Sequence, residues 1–171
     1  MKKIDFRTDV LPLKNELYRL ALRITLNPAE AEDIVQDTML KVWNRREQWD
    51  EIASIEAFCL TICRNLALDR NKRAGSQNAP LDVYDDPPDR SHAANPEEQA
   101  IGNDRIALVR RLIDKLPEKQ RSCMQLRDIE GKSYKEIAAV IGITEQQVKI
   151  NIFRARQAIR QQFLETERYG L

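Results

Sequence analysis

Two helix-start signatures lie eleven residues apart near the end of this 171-residue chain, Ser133-x-x-Glu136 and Thr144-x-x-Gln147. In each, a hydroxyl can accept from the backbone amide three residues on, while the Glu or Gln side chain returns to the cap's own amide. Two helix origins are thereby set about three turns apart, and Gly142 permits the tight turn between them. Ile137, Ala138 and Ile141 supply the buried side of the first helix, Ile143 packs beneath the turn, and Val148 and Ile152 anchor the second helix. From Lys132 to Phe163 the spacing is that of a helix-turn-helix, a unit that places its second helix in the major groove of duplex DNA.

That assignment leaves Gln146, Gln147, Lys149, Ile150, Asn151, Phe153 and Arg154 on the remaining faces, with Arg156 and Arg160 further along. Gln and Asn can pair with adenine edges and Arg or Lys with guanine, whereas an apolar Ile or Phe can touch a thymine methyl. Arg156 and Arg160 suit phosphate. An ordinary amphipathic hairpin with a solvated basic face would share some of these features, but the paired caps, the turn and the sign of the charge all agree on groove reading.

Net charge alone is uninformative, at +1 for the whole chain. Its distribution says more. Residues 1–73 carry 13 Lys and Arg against 12 Asp and Glu, residues 74–104 carry 1 against 7, and residues 105–171 carry 14 against 8. The last third is the candidate polyanion-binding part.

Cys59, Cys63 and Cys123 form an odd set without the spacing of a disulfide framework, which fits a reducing cytoplasm. Cys59 and Cys63 are one helical turn apart, yet the single histidine, His92, is distant, so core packing is expected and no metal or cofactor site is. No apolar run approaches the roughly 20 residues of a membrane span, and the N-terminus has no signal-peptide core, so a soluble chain is expected.

Scarce glycine, absent strand alternation and helical spacing of apolar residues predict an all-α chain of two small helical domains. A first helix over Leu11–Leu26 gathers Leu13, Leu17, Leu20, Ala21 and Ile24 on one face. Asn27 caps the next, with Pro28 at its first position and Glu30, Glu32 and Asp33 at the positive end of its dipole. That helix runs to about Arg46 and buries Ala31, Ile34, Val35, Thr38 and Val42. A polar connection over Glu47–Ala53 leads to a third helix capped by Ser54, with Phe58, Ile62, Cys63 and Leu66 as core candidates, ending in Arg70, Lys72 and Arg73. Gly, Ser, Asn, Asp and Pro then dominate residues 74–95, which read as a flexible acidic linker. Asn95-Pro96 opens a second domain over 96–171, whose first helix reaches about Lys115. Leu116-Pro117 breaks it before another helix that ends at Gly131.

Two blocks of residues resemble a known family. Leu17-Tyr18-Arg19, then Ala31-Glu32-Asp33-Ile34-Val35-Gln36-Asp37-Thr38 and on to Trp43, form the first. Leu116-Pro117-Glu118-Lys119-Gln120-Arg121, Leu126-Arg127-Asp128-Ile129-Glu130-Gly131, Ser133-Tyr134-Lys135-Glu136-Ile137-Ala138 and Val148-Lys149 through Arg154-Ala155-Arg156 form the second. In this order and separation they resemble sigma-70 family sigma factors of the small extracytoplasmic-function (ECF) type, which keep only the second and fourth conserved regions. The likeness covers nearly everything except the linker.

The resemblance implies a bacterial transcription initiation factor without catalytic activity of its own. Its partners would be core RNA polymerase, through the clamp helices and flap, and promoter DNA both double-stranded and melted, with an anti-sigma factor as a further partner. Asp33, Gln36, Asp37 and Lys41 fall on polymerase-contacting positions, beside Met39. The third helix would read and melt the −10 element, with the loop Gln48–Ser54 accepting a flipped base, Asn65, Asp69 and Arg70 lining the strand, and Arg64, Arg70, Lys72 and Arg73 supplying cations. The −35 element would meet Gln146, Gln147, Lys149, Ile150, Asn151, Phe153, Arg154 and Arg156. Asp82, Asp85, Asp86 and Asp89 of the linker could thread the polymerase's RNA-exit path.

The chain departs from the family at two places. Phe58-Cys59-Leu60-Thr61-Ile62-Cys63-Arg64-Asn65 stands where Trp-Leu-Tyr-Arg-Ile-Ala-Arg-Asn is common, so the large Trp and Tyr and one cation are replaced, and weaker stacking on melted DNA is expected at Phe58 and Leu60. Ile150-Asn151 stands where Ser-Arg is frequent, which implies a different −35 preference. An ordinary helix-turn-helix regulator acting without polymerase would need a receiver-like pattern or a ligand pocket in residues 1–73. A recombinase would need a positioned nucleophile. Neither is visible there.

Overall fold

The computed structural model describes the backbone of residues 3–77 and 96–169 and the side chains of 3–75 and 104–168. Asp82, Asp85, Asp86 and Asp89 therefore lie outside the described residues, as does most of the expected linker. Seven α-helices and no strand occur among the described residues: α1 (Lys14–Thr25), α2 (Pro28–Asn44), α3 (Ile55–Gln77), α4 (Pro96–Asp114), α5 (Glu118–Met124), α6 (Tyr134–Ile141) and α7 (Glu145–Tyr169). The all-α expectation holds.

Helix starts follow the local chemistry. Asn27 accepts from the Glu30 amide at 3.2 Å and Ser54 from the Ala57 amide at 3.2 Å. Ser133 and Glu136 form a reciprocal capping box, and Thr144 and Gln147 form another, with bonds of 2.9 and 3.1 Å. Gly142 closes α6 at φ +80°, and Gly131 takes φ +69° after α5 has widened into a π turn over Gln125–Ile129.

Three expectations need adjustment. The connection after α2 holds a 3-10 turn, Arg46–Glu51, because Trp49 folds inward and its Nε1 donates to the Val42 carbonyl at 3.1 Å. α3 does not stop in the basic run but continues to Gln77, since nothing there removes a helical hydrogen bond as proline would. Its core stripe also differs. Cys59, Leu60, Ile62, Cys63 and Ala67 are buried while Phe58 and Leu66 are half-buried, because α3 is covered by α1 and α2 on one side and by α6 on another. One covered face yields a simple period, and two covered faces blur it.

The two helical units share a continuous core that runs from Leu17, Leu20, Ile34 and Cys63 to Cys123, Leu126, Ile137 and Val148. Ion pairs flank the seam between them. Arg64, 7% exposed, donates through Nε and Nη2 to Glu118 at 3.0 and 2.8 Å, and Ser122 Oγ holds the same carboxylate at 2.7 Å. Lys132 Nζ bridges Glu16, at 2.8 Å, and Glu56. Arg19 reaches Glu130 at 2.8 Å, and Arg23 reaches Gln125 at 3.0 Å and Asp114 at 3.4 Å. Burial lowers the Arg23 pKa and raises that of Asp114, which is the desolvation expected of an enclosed pair.

All three cysteines are buried free thiols. Cys63 Sγ donates to the Leu17 carbonyl at 3.3 Å. Burial pushes Cys59 and Cys63 up to about 12 and Cys123 to about 11. They pack as small apolar groups.

Candidate nucleic-acid interface

α7 stands on α6 through Val148, Ile152 and Ala155, all buried, so its opposite side is presented outward. Gln146, Gln147, Lys149, Ile150, Phe153, Arg154 and Arg156 are exposed and Asn151 is half-buried. Their freedom differs. Gln147 is used as a cap, its side-chain oxygen accepting from the Thr144 amide. Asn151 Nδ2 donates back to the Gln147 carbonyl at 2.8 Å. Arg156 is paired with Asp128, at 3.1 Å from Nε, and that carboxylate raises its pKa. Lys149 Nζ rests 5.3 Å from the centroid of the Tyr134 ring, whose other contact is Arg127 at 4.3 Å. Among the described residues, Gln146, Ile150, Phe153 and Arg154 have no such partners, and spacings of four, seven and eight residues from Gln146 put them on one face. Exposed Gln157 extends that face and was missed from sequence, although the same i,i+4 spacing from Phe153 marks it.

α3 holds its candidates differently. Asn65, Asp69, Lys72 and Arg73 are exposed on one side, again at i, i+4, i+7 and i+8. Arg70 is not with them. It turns to α2, where Nη2 donates to Asp37 at 3.0 Å and Nη1 engages Glu30 and lies 3.8 Å from Asp33. The hydrogen bond that it donates to Glu30 is the main reason its pKa is raised. Arg64, another of the expected cations, is enclosed in the seam with Glu118, so Arg64 and Arg70 are both engaged within the protein. Leu60 is fully buried, which removes it from any strand-facing role.

On α2, Asp33, Gln36 and Lys41 are exposed and Asp37 and Met39 half-buried. The structure adds Leu40, 61% exposed, on the same face as Asp33, Gln36 and Asp37. Trp43 beside it is 44% exposed and sits edge-on to Phe6 at 5.4 Å and to Trp49 at 6.2 Å, with Arg46 4.6 Å over its ring. Sequence reading passed over Leu40 because it lies outside the buried stripe, although that exclusion was itself the clue. The face is apolar in the middle and charged at its edge, the composition of a protein contact. Among the described residues, no group of three or more His, Cys, Asp or Glu could hold a metal, and no helix is long and apolar enough to cross a membrane.

Comparison with known proteins agrees with the all-α fold. Residues 10–77 match the family model for Sigma-70 region 2, and residues 106–159 that for Sigma-70, region 4. The ECF RNA polymerase sigma factor SigE of Mycolicibacterium smegmatis is 33% identical over 148 residues, covering 85% of this chain and 56% of SigE. This chain thus spans little more than half of that relative. SigL of Mycobacterium tuberculosis, also an ECF RNA polymerase sigma factor, is 31% identical over 145 residues, covering 84% of this chain and 80% of SigL. The sigma factor RpoE from Bartonella quintana, solved in complex with the anti-sigma factor NepR, superposes with a TM-score of 0.72 at 23% identity, covering 94% of this chain and 97% of RpoE. The chain belongs to the sigma-70 family, among its ECF sigma factors.

Proposed function

We propose that the chain is a dissociable, non-enzymatic initiation factor that binds core RNA polymerase and directs it to promoters carrying particular −35 and −10 elements. The observation that carries this is the pairing, in one chain, of an open helix-turn-helix face on α7 with an apolar-centred contact face on α2. Asp33, Gln36, Asp37, Leu40 and Lys41 dock on the polymerase, and α7 reads the −35 duplex. Asn65, Asp69, Lys72 and Arg73 follow the melted −10 strand, joined by Arg64 and Arg70 once their internal pairs open. Catalysis belongs to the polymerase, and the site of action is the bacterial cytoplasm.

The role of partner suits the energetics. A small helix-turn-helix with modest positive charge gains little from phosphate neutralisation at physiological salt. Docking the same chain on polymerase raises the effective concentration of α7 at the promoter. RpoE of Bartonella quintana, which shares this fold, was solved in complex with the anti-sigma factor NepR, and a like inhibitor is proposed here.

The experiment is to mix the purified chain with bacterial core polymerase and a promoter library, and to measure core binding and run-off transcription. Selective initiation is expected. Failure to bind core overturns the proposal, and DNA binding without core assigns the chain to stand-alone regulation instead.

A further inference from the structure

Sequence chemistry alone left eight side chains for the −35 element, several of them amides suited to adenine. The structure changes that balance. Gln147 is occupied as a cap and Asn151 bonds to the backbone one turn earlier, so two of the three amides among those eight are already engaged. Arg156 is paired with Asp128. In the middle of the outward face stand Ile150, 40% exposed, and Phe153, 65% exposed, three residues apart. Gln146 lies on one side of them and Arg154 on the other, with Lys149 and Arg160 as exposed cations along the same helix. An apolar step flanked by cations fits an apolar group embedded in a polyanion. In the major groove of DNA only one base offers that, since thymine alone carries a C5-methyl group.

We propose that Ile150 and Phe153 form an apolar ledge that reads thymine methyl groups in the −35 element, with Arg154 and Lys149 holding the flanking phosphates or purine edges. The inference rests on the −35 reading proposed for α7 and specifies its chemistry. Base preference then follows from methyl contact at the centre of the helix and from hydrogen bonding at its edges. Ile150 is the decisive residue, because a serine there, as is frequent in the family, would present a hydroxyl in place of a branched apolar surface. Each methyl buried on the ledge is worth about fourfold in affinity, the transfer value of one apolar carbon.

The test uses holoenzyme assembled from the full chain and bacterial core polymerase. Promoter fragments randomised over the −35 element are synthesised in two versions, with thymine or with uracil as the fourth base within that element only. Uracil keeps every hydrogen-bonding group and lacks the methyl. Bound fragments are sequenced. Enrichment of thymine at one or more positions, reduced about fourfold per position in the uracil library, supports the ledge. A double variant, Ile150→Ser with Phe153→Ala, is then expected to enrich thymine and uracil equally. Thymine and uracil enriched alike by the unaltered protein, or a methyl preference that persists in the double variant, overturns the ledge while leaving −35 recognition standing. Holoenzyme that enriches no −35 sequence at all overturns that recognition, and the ledge with it.

Discussion

The outer face of α7 and the basic end of α3 are both rich in candidate DNA-contacting residues, yet they differ in what holds those residues. On α7 Gln146, Ile150, Phe153 and Arg154 point outward with no polar or ring partner among the described residues, and the helix is supported from behind by Val148, Ile152 and Ala155. On α3 two of the strongest cations are turned inward, Arg64 to Glu118 and Arg70 to Glu30, Asp33 and Asp37. The difference follows from position. α7 packs chiefly on α4, α5 and α6 of its own half, whereas α3 lies in the seam and is contacted by α6. One surface can meet DNA as it stands. The other releases Arg64 only if the halves separate.

Arg64→Ala attacks that difference most directly. The pair is nearly enclosed, so removing one partner strands Glu118 against Ser122 and costs about 3 kcal/mol, the low end for buried pairs because Glu118 retains some water. Urea unfolding is expected to show this loss. Thiol labelling locates it, since Cys123 lies beside Arg64 and Glu118, whereas Cys63 bonds to Leu17 inside the first unit. Alkylation of Cys123 should accelerate relative to Cys63. Equal rates at both thiols would mean that the seam does not open as a unit.

Alkaline pH probes the seam with a smaller effect. Burial raises the Cys123 thiol to about 11 from its ordinary value of 9.0. A raised folded-state pKa means that the folded protein favours the protonated thiol. Its contribution is therefore complete below pH 9 and disappears as pH climbs toward 11, a loss of roughly 2 kcal/mol over that window. The stability difference between wild type and Cys123→Ala should shrink by that amount between pH 9 and 11 in denaturant titrations. A difference independent of pH would place Cys123 in contact with water.

For α7 the contrast lies between free and engaged side chains. Arg154→Ala should weaken −35-dependent promoter binding by holoenzyme about tenfold, within the 1–3 kcal/mol of a good side-chain contact to DNA. Asn151→Ala, which removes a group already bonded to the backbone, should cost threefold or less by the same scale. Quantitative footprinting separates the two. A larger loss at Asn151 would show that its bond to Gln147 exchanges for a base.

Much of this was legible in the sequence because it is local. Asn27, Ser54, Ser133 and Thr144 each cap a helix within three residues of themselves, and Gly142 takes the left-handed turn that its position between two caps required. What escaped is long-range. Arg64 meets Glu118 across 54 residues and Arg70 meets Asp37 across 33, and no periodicity encodes either. The same limit displaced the core stripe of α3, whose second covered face is supplied by α6 from the other half. Gln147 and Asn151 escaped for another reason, since one polar group can either bond to backbone or read a base and composition does not choose between them.

Gly142 tests whether the open face depends on the closed one. Its φ of +80° places it in the left-handed region, and among the described residues nothing beyond its own chain neighbours lies within 4 Å of where a Cβ would stand. Gly142→Ala therefore meets no steric obstacle from the surroundings, and its cost is conformational, about 1 kcal/mol. For a chain of this size the melting temperature should fall by roughly 2–4 °C. α6, packed in the seam, fixes the turn from one side, and Ile143 fixes it from the other, so the angle between α6 and α7 should survive the substitution. Promoter binding at a temperature well below melting is then expected to remain near wild type. A loss of binding greater than the loss of stability would mean that the turn, rather than the packing of Val148 and Ile152, aims the reading helix.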